Sequence, residues 1–410
     1  MTIDTRPSTA ANVPRRLPLL LAGIVGLNPV AMDAYIPAID AMANDFAVGI
    51  QTLESTIAIY MLGYTVGLLC AAPLSDRIGR RPICLLGLVI YAVASGMIIA
   101  LDAFTALATL RIVQGIGAGF SLVNVGAIVR DLYDEHDSAR QLSRIYILLL
   151  VLPLIAPIAG AWLLHLGTWR WIFVALMAYG IVMLVATLRR LPETLGRRGS
   201  VATDLAPLAF LWTHVRSVLA HRRATFFALA AAFSAATLFL FINDAAFLYL
   251  DHFGVSSDRF PLYFGVNVIA MAAAHGLNLL LLRRYEPRRI MRVGLLLLLA
   301  ASLWALYYTL VFDASLAAMA FSTAAVLAAQ ILIGSNAQAA YMSRFDDNAG
   351  MANALIGSLI FAIGAVASLL LAAVHNDDPS ALAAAWVTCS ALALGAAMIA
   401  LREDVPSSET

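Results

Sequence analysis

Ala72-Pro73-Leu74-Ser75-Asp76-Arg77-Ile78-Gly79-Arg80-Arg81-Pro82 joins two apolar runs, 52–73 and 82–101. Each run has the roughly 20 apolar residues that one membrane-spanning helix needs. A short basic reversal between two such runs describes a chain that crosses a bilayer and turns back at its surface. Outward from this stretch the same alternation continues. Spans are expected at 17–41, 52–73, 82–101, 105–127, 145–164, 170–189, 225–249, 260–282, 290–312, 315–341, 350–374 and 381–401. Twelve spans of about 20 residues use about 240 positions, which leaves short connections in a chain of 410 residues. The composition agrees: 62% hydrophobic, 12% charged, mean hydropathy +0.86. Soluble domains carry roughly 25% charged residues, so soluble, disordered and fibrous classes are excluded.

All 26 basic residues are arginine. Without lysine there is no P-loop, Schiff base or Ser-Lys dyad, which excludes a self-contained ATP-driven pump. Cys70, Cys84 and Cys389 stand singly in apolar stretches and read as small buried hydrophobes, with no metal site. Residues 1–16 are polar, and the run that follows lacks a cleavage pattern, so it reads as the first span. The tail, the 74–81, 128–144 and 283–292 loops, the 189–224 linker, Arg344 and Arg402 hold 23 of the 26 arginines. The positive-inside rule then puts both termini and the linker in the cytoplasm.

That linker is the one long polar interruption, and it divides the chain six plus six: 1–189, the linker 190–224, and 225–410. The basic 74–81 loop recurs as 283–292. The expected fold is an all-α polytopic membrane protein, twelve transmembrane helices in two pseudo-symmetric six-helix bundles. Two such bundles rocking about a midplane site are the physical logic of a secondary transporter.

Four strings carry the chemistry. In the 72–82 stretch the glycine allows a tight reversal, and Asp76 can accept from an arginine or a helix N-terminus. Asp76, Arg77, Gly79, Arg80 and Arg81 therefore read as a conformational latch or as a plain anchor. The string resembles the loop signature of the major facilitator superfamily, G-x-L-s-D-r-x-G-R-R, with Ala72 at the usual first glycine. In Arg111-Ile112-Val113-Gln114-Gly115-Ile116-Gly117-Ala118-Gly119 a charge lies within a span, where its desolvation demands a partner. R-x-x-Q-G resembles the family's fourth-helix signature, whose arginine is tied to proton coupling. Asp33-Ala34-Tyr35-Ile36-Pro37 places Asp33 about 24 Å from the inner face, and Arg111 lies about 9 Å below the outer face of a core about 30 Å thick. The two depths agree, so Asp33 is either a proton carrier tuned by Arg111 or its structural ion partner. D-x-Y-x-P is similar to the first helix of twelve-span drug:proton antiporters. In span five, Pro153 and Pro157 bend the helix and Gly160 permits tight packing. This stretch resembles the antiporter signature G-P-x-x-G-G, with Ala156 and Ala161 at glycine positions.

With Trp169-Arg170-Trp171 and Leu191-Pro192-Glu193-Thr194, these strings resemble the Bcr/CflA group of drug exporters. Val129-Arg130-Asp131-Leu132-Tyr133 and Phe345-Asp346-Asp347-Asn348-Ala349-Gly350 are similar to segments of chloramphenicol and florfenicol exporters. In the second half, Asp244 with Asn243 is the repeat counterpart of Asp33. It reads as an outer-end residue reaching water, or as a second cavity carboxylate for a cation or proton. Tyr35, Gln114, Asn243, Asp244, Asn336 and Gln338 are the candidate cavity residues. His275 reads as a helix–helix contact, and Tyr60, Tyr64, Trp304, Tyr307 and Tyr341 line a pocket or face lipid. The resemblance implies a proton-driven exporter of small amphiphilic drugs in the bacterial inner membrane; the sequence does not give its oligomeric state, and nothing beyond a monomer is expected. It implies lipid around the chain, no other cofactor, and no nucleic-acid partner. The alternative is a carrier of an endogenous metabolite. No H-E-x-x-H, G-x-S-G or His/Cys cluster supports an enzyme.

Overall fold

The computed structural model describes residues 17–133, 135–195, 216, 221–312, 315–345, 349–374 and 378–402. Lipid offers the backbone no hydrogen-bond partner, so each apolar run satisfies its own N–H and C=O groups by coiling. Among the described residues, twelve long helices result: α1 Leu17–Asp45, α2 Ile50–Ile78, α3 Arg80–Ile98, α4 Phe104–Leu132, α5 Glu135–Leu164 and α6 Arg170–Arg190 in the first half. The second half holds α7 Arg222–His252, α8 Phe260–Leu281, α9 Pro287–Val311, α10 Leu316–Met342, α11 Ala349–Val374 and α12 Ser380–Arg402. Among the described residues eleven are long and apolar enough to cross a membrane, and α5 adds the apolar stretch Val151–Leu164. Most of the 190–224 linker, and residues 346–348 of the exporter-like segment, lie outside the described residues.

The helices overrun the apolar runs. α2 continues through Asp76 and Arg77 to Ile78, and α3 starts at Arg80. The stretch read as a loop is therefore two helix ends joined at Gly79, whose φ of 121° suits glycine alone. α5 also begins at Glu135, well before residue 145. Beyond the lipid the helix is no longer obligatory, because water can serve the backbone, but good helix formers such as arginine and glutamate continue it.

Two helices are broken at repeat-related places. α1 is α-helical over Leu17–Asp33, with Pro29 inside it, passes through a 3-10 turn at Ile36–Ala38 and resumes at Ile39–Asp45. α7 is α-helical over Arg222–Ala246 and continues as a π turn at Phe247–His252. The packing repeats as well. α1 packs on α4, α5 and α6, α2 on α4, and α3 on α4 and α6. Six helices later α7 packs on α10, α11 and α12, α8 on α10, and α9 on α10 and α12. Between the bundles α2 lies along α11 and α8 along α5, with α2 also touching α7. Trp304 and Tyr307 of α9 are half exposed on the lipid side, as interfacial aromatics are.

Candidate functional site

A cavity of about 530 Å³ opens between the bundles on the face that carries the arginine-rich ends. Asp76, Arg80 and Arg130 stand at its mouth. Deeper in, Asn28 and Pro29 of α1, Tyr64 and Leu68 of α2, Asn124 of α4, and Asn353 and Phe361 of α11 line it. The lining is mostly apolar with a few convergent polar groups, as small-molecule sites are. Tyr64 meets Phe361 edge-on at 4.6 Å, and Phe239 of α7 lies 5.0 Å from Phe361, so aromatic rings from both bundles meet at one end of it. On the opposite face the bundles are shut. Asn243 Oδ1 accepts from the Ala58 amide at 3.1 Å, Glu54 Oε1 accepts from the Phe247 amide at 2.9 Å, and His165 pairs with Asp258 at 3.0 Å.

Asp33 ends the first α-helical segment of α1, one helical turn beyond Pro29 and hence one turn past the cavity lining. Its side chain is 3% exposed, and its Oδ1 has no hydrogen-bond partner. Arg111 of α4 is wholly buried. Its Nη1 donates to Gln114 Oε1 at 2.6 Å and its Nη2 to the Ala31 carbonyl at 3.1 Å. The guanidinium lies 4.5 Å from the ring centroids of both Tyr35 and Tyr60. Gln114 donates onward to Ser95 at 2.8 Å, and Tyr35 shares a hydrogen bond with Thr56 at 3.0 Å. Among the described residues no ion pair joins Arg111 to Asp33. The arginine holds α1 through a carbonyl two residues before the acid.

The break in α1 is reached from the other side by α5. Pro153 and Pro157 lie inside that helix, and Gly160 approaches the Ala34 carbonyl so closely that a Cβ there would collide with it. The span-five proline–glycine stretch thus seats directly on the turn that follows Asp33.

At the basic face, Arg80 bonds Asp76, reaches Ser75 at 3.1 Å and pairs with Asp131 at 3.5 Å. Glu193 accepts from the amides of Arg80 and Arg81 at 3.0 and 3.2 Å, capping α3. Arg81 reaches the Leu188 carbonyl at 2.8 Å, and Thr194 donates to Asp131 at 3.0 Å. These contacts join helices of the first bundle to one another and to the start of the linker, and none of them reaches the second bundle. At the opposite face Trp169 and Arg170 both reach Asp45, and Arg170 adds Asp102 and the carbonyls of Ile99 and Leu101.

None of the six candidate cavity residues lines the open cavity. Tyr35 and Gln114 belong to the Arg111 cluster, and Asn243 and Asp244 lie at the closed face. Asn336 donates to Asn278 at 2.8 Å, and Gln338 donates to Asn353 at 3.1 Å. His275 is half-buried on α8. Tyr64 lines the cavity, Tyr60 stacks on Arg111, and Tyr341 donates to the Ala352 carbonyl at 3.0 Å. Sequence reasoning missed Asn28, whose buried Oδ1 has no partner, and Asn124 and Asn353. It also missed Glu54, an acid inside the run 52–73 that is 3% exposed. The rule that singled out Asp33 and Arg111, a charge within a span, applies to Glu54 equally.

The model of the Major Facilitator Superfamily matches residues 21–369. A bicyclomycin resistance protein homolog of Haemophilus influenzae is 29% identical over 364 residues, covering 88% of this chain and 89% of that protein. A chloramphenicol resistance protein of Pseudomonas aeruginosa is 30% identical over 318 residues, covering 75% of this chain and 73% of its own. Among solved structures, a peptide transporter in complex with sulfate matches with a TM-score of 0.75 at 14% identity, covering 96% of both chains.

Proposed function

The chain belongs to the major facilitator superfamily, a family of transporters and not of enzymes, and from that premise we propose that it is a Bcr/CflA-type exporter. It drives small amphiphilic compounds, phenicols among them, out across the bacterial inner membrane in exchange for protons. The names of the relatives, bicyclomycin and chloramphenicol resistance proteins, support the cargo class. The observation that carries the exchange is Asp33. It is a buried carboxyl with an unbonded oxygen, one turn past a two-bundle cavity and at the break of a helix.

The basic face is cytoplasmic by the positive-inside rule, so both termini are cytoplasmic and the cavity opens to the cytoplasm in this state. A compound enters along Asn28, Tyr64 and Phe361 and competes with a proton for Asp33. Arg111 sets the place of the α1 break through Ala31. Residues 1–189 and 225–410 rock as two units about the site, joined by the 190–224 linker, and a monomer suffices. Asp76 and Arg80 hold the mouth of the first bundle and re-pair when that side shuts. The proton gradient is the energy source, with no further cofactor. One charge moved through 100 mV is worth about 2.3 kcal/mol, which sustains a gradient of about 50-fold.

The test is susceptibility of an efflux-deficient bacterium expressing wild type or Asp33→Asn at matched membrane levels. The panel holds phenicols, a lipophilic cation and a fluoroquinolone. Wild type protects and the variant does not. Full resistance with Asp33→Asn would remove this carboxyl from the mechanism. Protection by neither protein would replace the drug with an endogenous metabolite.

A further inference from the structure

The wall of the open cavity carries side-chain amides from three helices, and the structure leaves one of them unmet. Asn124 of α4 accepts from the Ser75 hydroxyl and donates to the Phe120 carbonyl at 3.1 Å. Asn353 of α11 accepts from Gln338 at 3.1 Å. Asn28 of α1 lines the cavity, is 9% exposed, and its Oδ1 has no hydrogen-bond partner. A buried amide oxygen without a donor is costly. The torsion that carries the amide is soft, so the oxygen can turn to meet a donor that enters the cavity.

The next residue adds a second acceptor. Pro29 lies inside the helix, lines the same cavity and has no N–H. It therefore brings no donor to the Val25 carbonyl four residues back, and Val25 lines the cavity as well. Helix side chains lean toward the N-terminus, so the Asn28 amide lies over the turn that holds this carbonyl. Both acceptors thus belong to one face of α1. Asp76, Arg80 and Arg130 stand at the mouth, with Arg80 bound to Asp76 and Ser75. Deeper than these, the described lining holds no charged side chain, and Tyr64 and Phe361 supply aromatic surface.

We propose that Asn28, with the Val25 carbonyl beside it, is the specificity determinant of the cavity and selects neutral, ring-bearing compounds that carry hydroxyl or amide N–H donors. The ring of the cargo lies against Tyr64 and Phe361, and its donors bond α1. A compound of similar shape without donors leaves both acceptors unmet and shut off from water, and sites built to hydrogen-bond a ligand reject such analogues. The cavity of about 530 Å³ is of the size that takes drug-sized molecules. This assignment deepens the proposed export and rests on it for its purpose, but binding can be read without transport.

The experiment measures equilibrium binding to purified, lipid-reconstituted protein at fixed pH. The probes are chloramphenicol, which has hydroxyl and amide N–H donors beside a flat ring, and its derivative methylated at every donor. Wild type prefers chloramphenicol by about tenfold or more, the worth of one or two hydrogen bonds. Asn28→Leu is close in volume and offers no acceptor. It loses most of that preference, while the methylated derivative binds within about twofold of its wild-type affinity. Asn28→Asp keeps an oxygen at the site and keeps the preference. Pro29→Ala returns an N–H to the Val25 carbonyl and narrows the preference without weakening the derivative. Equal weakening of both probes in Asn28→Leu would make Asn28 a packing residue and overturn the proposal, as would an unchanged preference in that variant. A wild type that binds the two probes equally, or binds neither, would overturn it too. Preferential binding without gradient-driven export in cells would instead sink the exporter reading and leave Asn28 assigned.

Discussion

Arg111→Lys preserves the charge of the buried cluster and removes its fork. In the wild type one guanidinium supplies Gln114 at 2.6 Å and the Ala31 carbonyl at 3.1 Å, and it lies over two tyrosine rings, 4.5 Å from each centroid. An ammonium satisfies one of those acceptors and lies against one ring, which is why arginine and lysine do not exchange freely at stacked sites. The buried acceptor left unpaired costs about 1–3 kcal/mol. The ring face given up forfeits about 1–2 kcal/mol in a desolvated setting. The loss is then roughly 2–5 kcal/mol. At about 2–4 °C per kcal/mol for units of 150–250 residues, the size of one bundle, the midpoint falls on the order of 10 °C.

The protein carries its own probe for this. Cys84 and Cys389 are buried free thiols, and a thiol-reactive dye reports their exposure on heating in detergent. Arg111→Met, which abandons both acceptors, falls further than Arg111→Lys. A lysine variant within about 2 °C of wild type would show that the fork and the two tyrosine contacts contribute little, and that stacking and paired donation do not distinguish the two cations at this site.

Two further outcomes follow from the packing. Gly160→Val places atoms on the Ala34 carbonyl, costs about 1–3 kcal/mol as overpacking, and pushes α5 off the α1 break. Export then collapses at unchanged membrane level, with Gly160→Ala intermediate, and normal export by the valine variant would refute the contact. Glu193→Ala uncaps α3 at Arg80 and Arg81 and costs about 0.5–2 kcal/mol, a fall of a few degrees in the same dye assay. An unshifted midpoint would mean that water serves those amides equally well.

The spans, their number, and the repeat were legible because hydropathy reports directly what lipid demands of a backbone. The arginine strings marked one face for the same reason, since desolvating a guanidinium in lipid is costly. Helix ends were less legible. Asp76 and Arg77 read as loop because hydropathy stops at the membrane, whereas hydrogen bonding continues to Gly79. Depth was readable along each helix, and it brought Asp33 and Arg111 to the same level. Rotation and lateral placement were not, and Arg111 meets Ala31, Gln114 and two tyrosines where an ion pair with Asp33 was one alternative.

The sequence by itself determined twelve membrane helices in two halves and the buried charges they carry. Only the tertiary structure decided which of those charges meet. Glu54 and Asp244 share a cavity although 190 positions separate them, because α2 and α7 touch where the bundles close. In lipid every apolar side chain is equally at home, so hydropathy cannot choose a helix's neighbour; close packing of small residues and the few available hydrogen bonds make that choice.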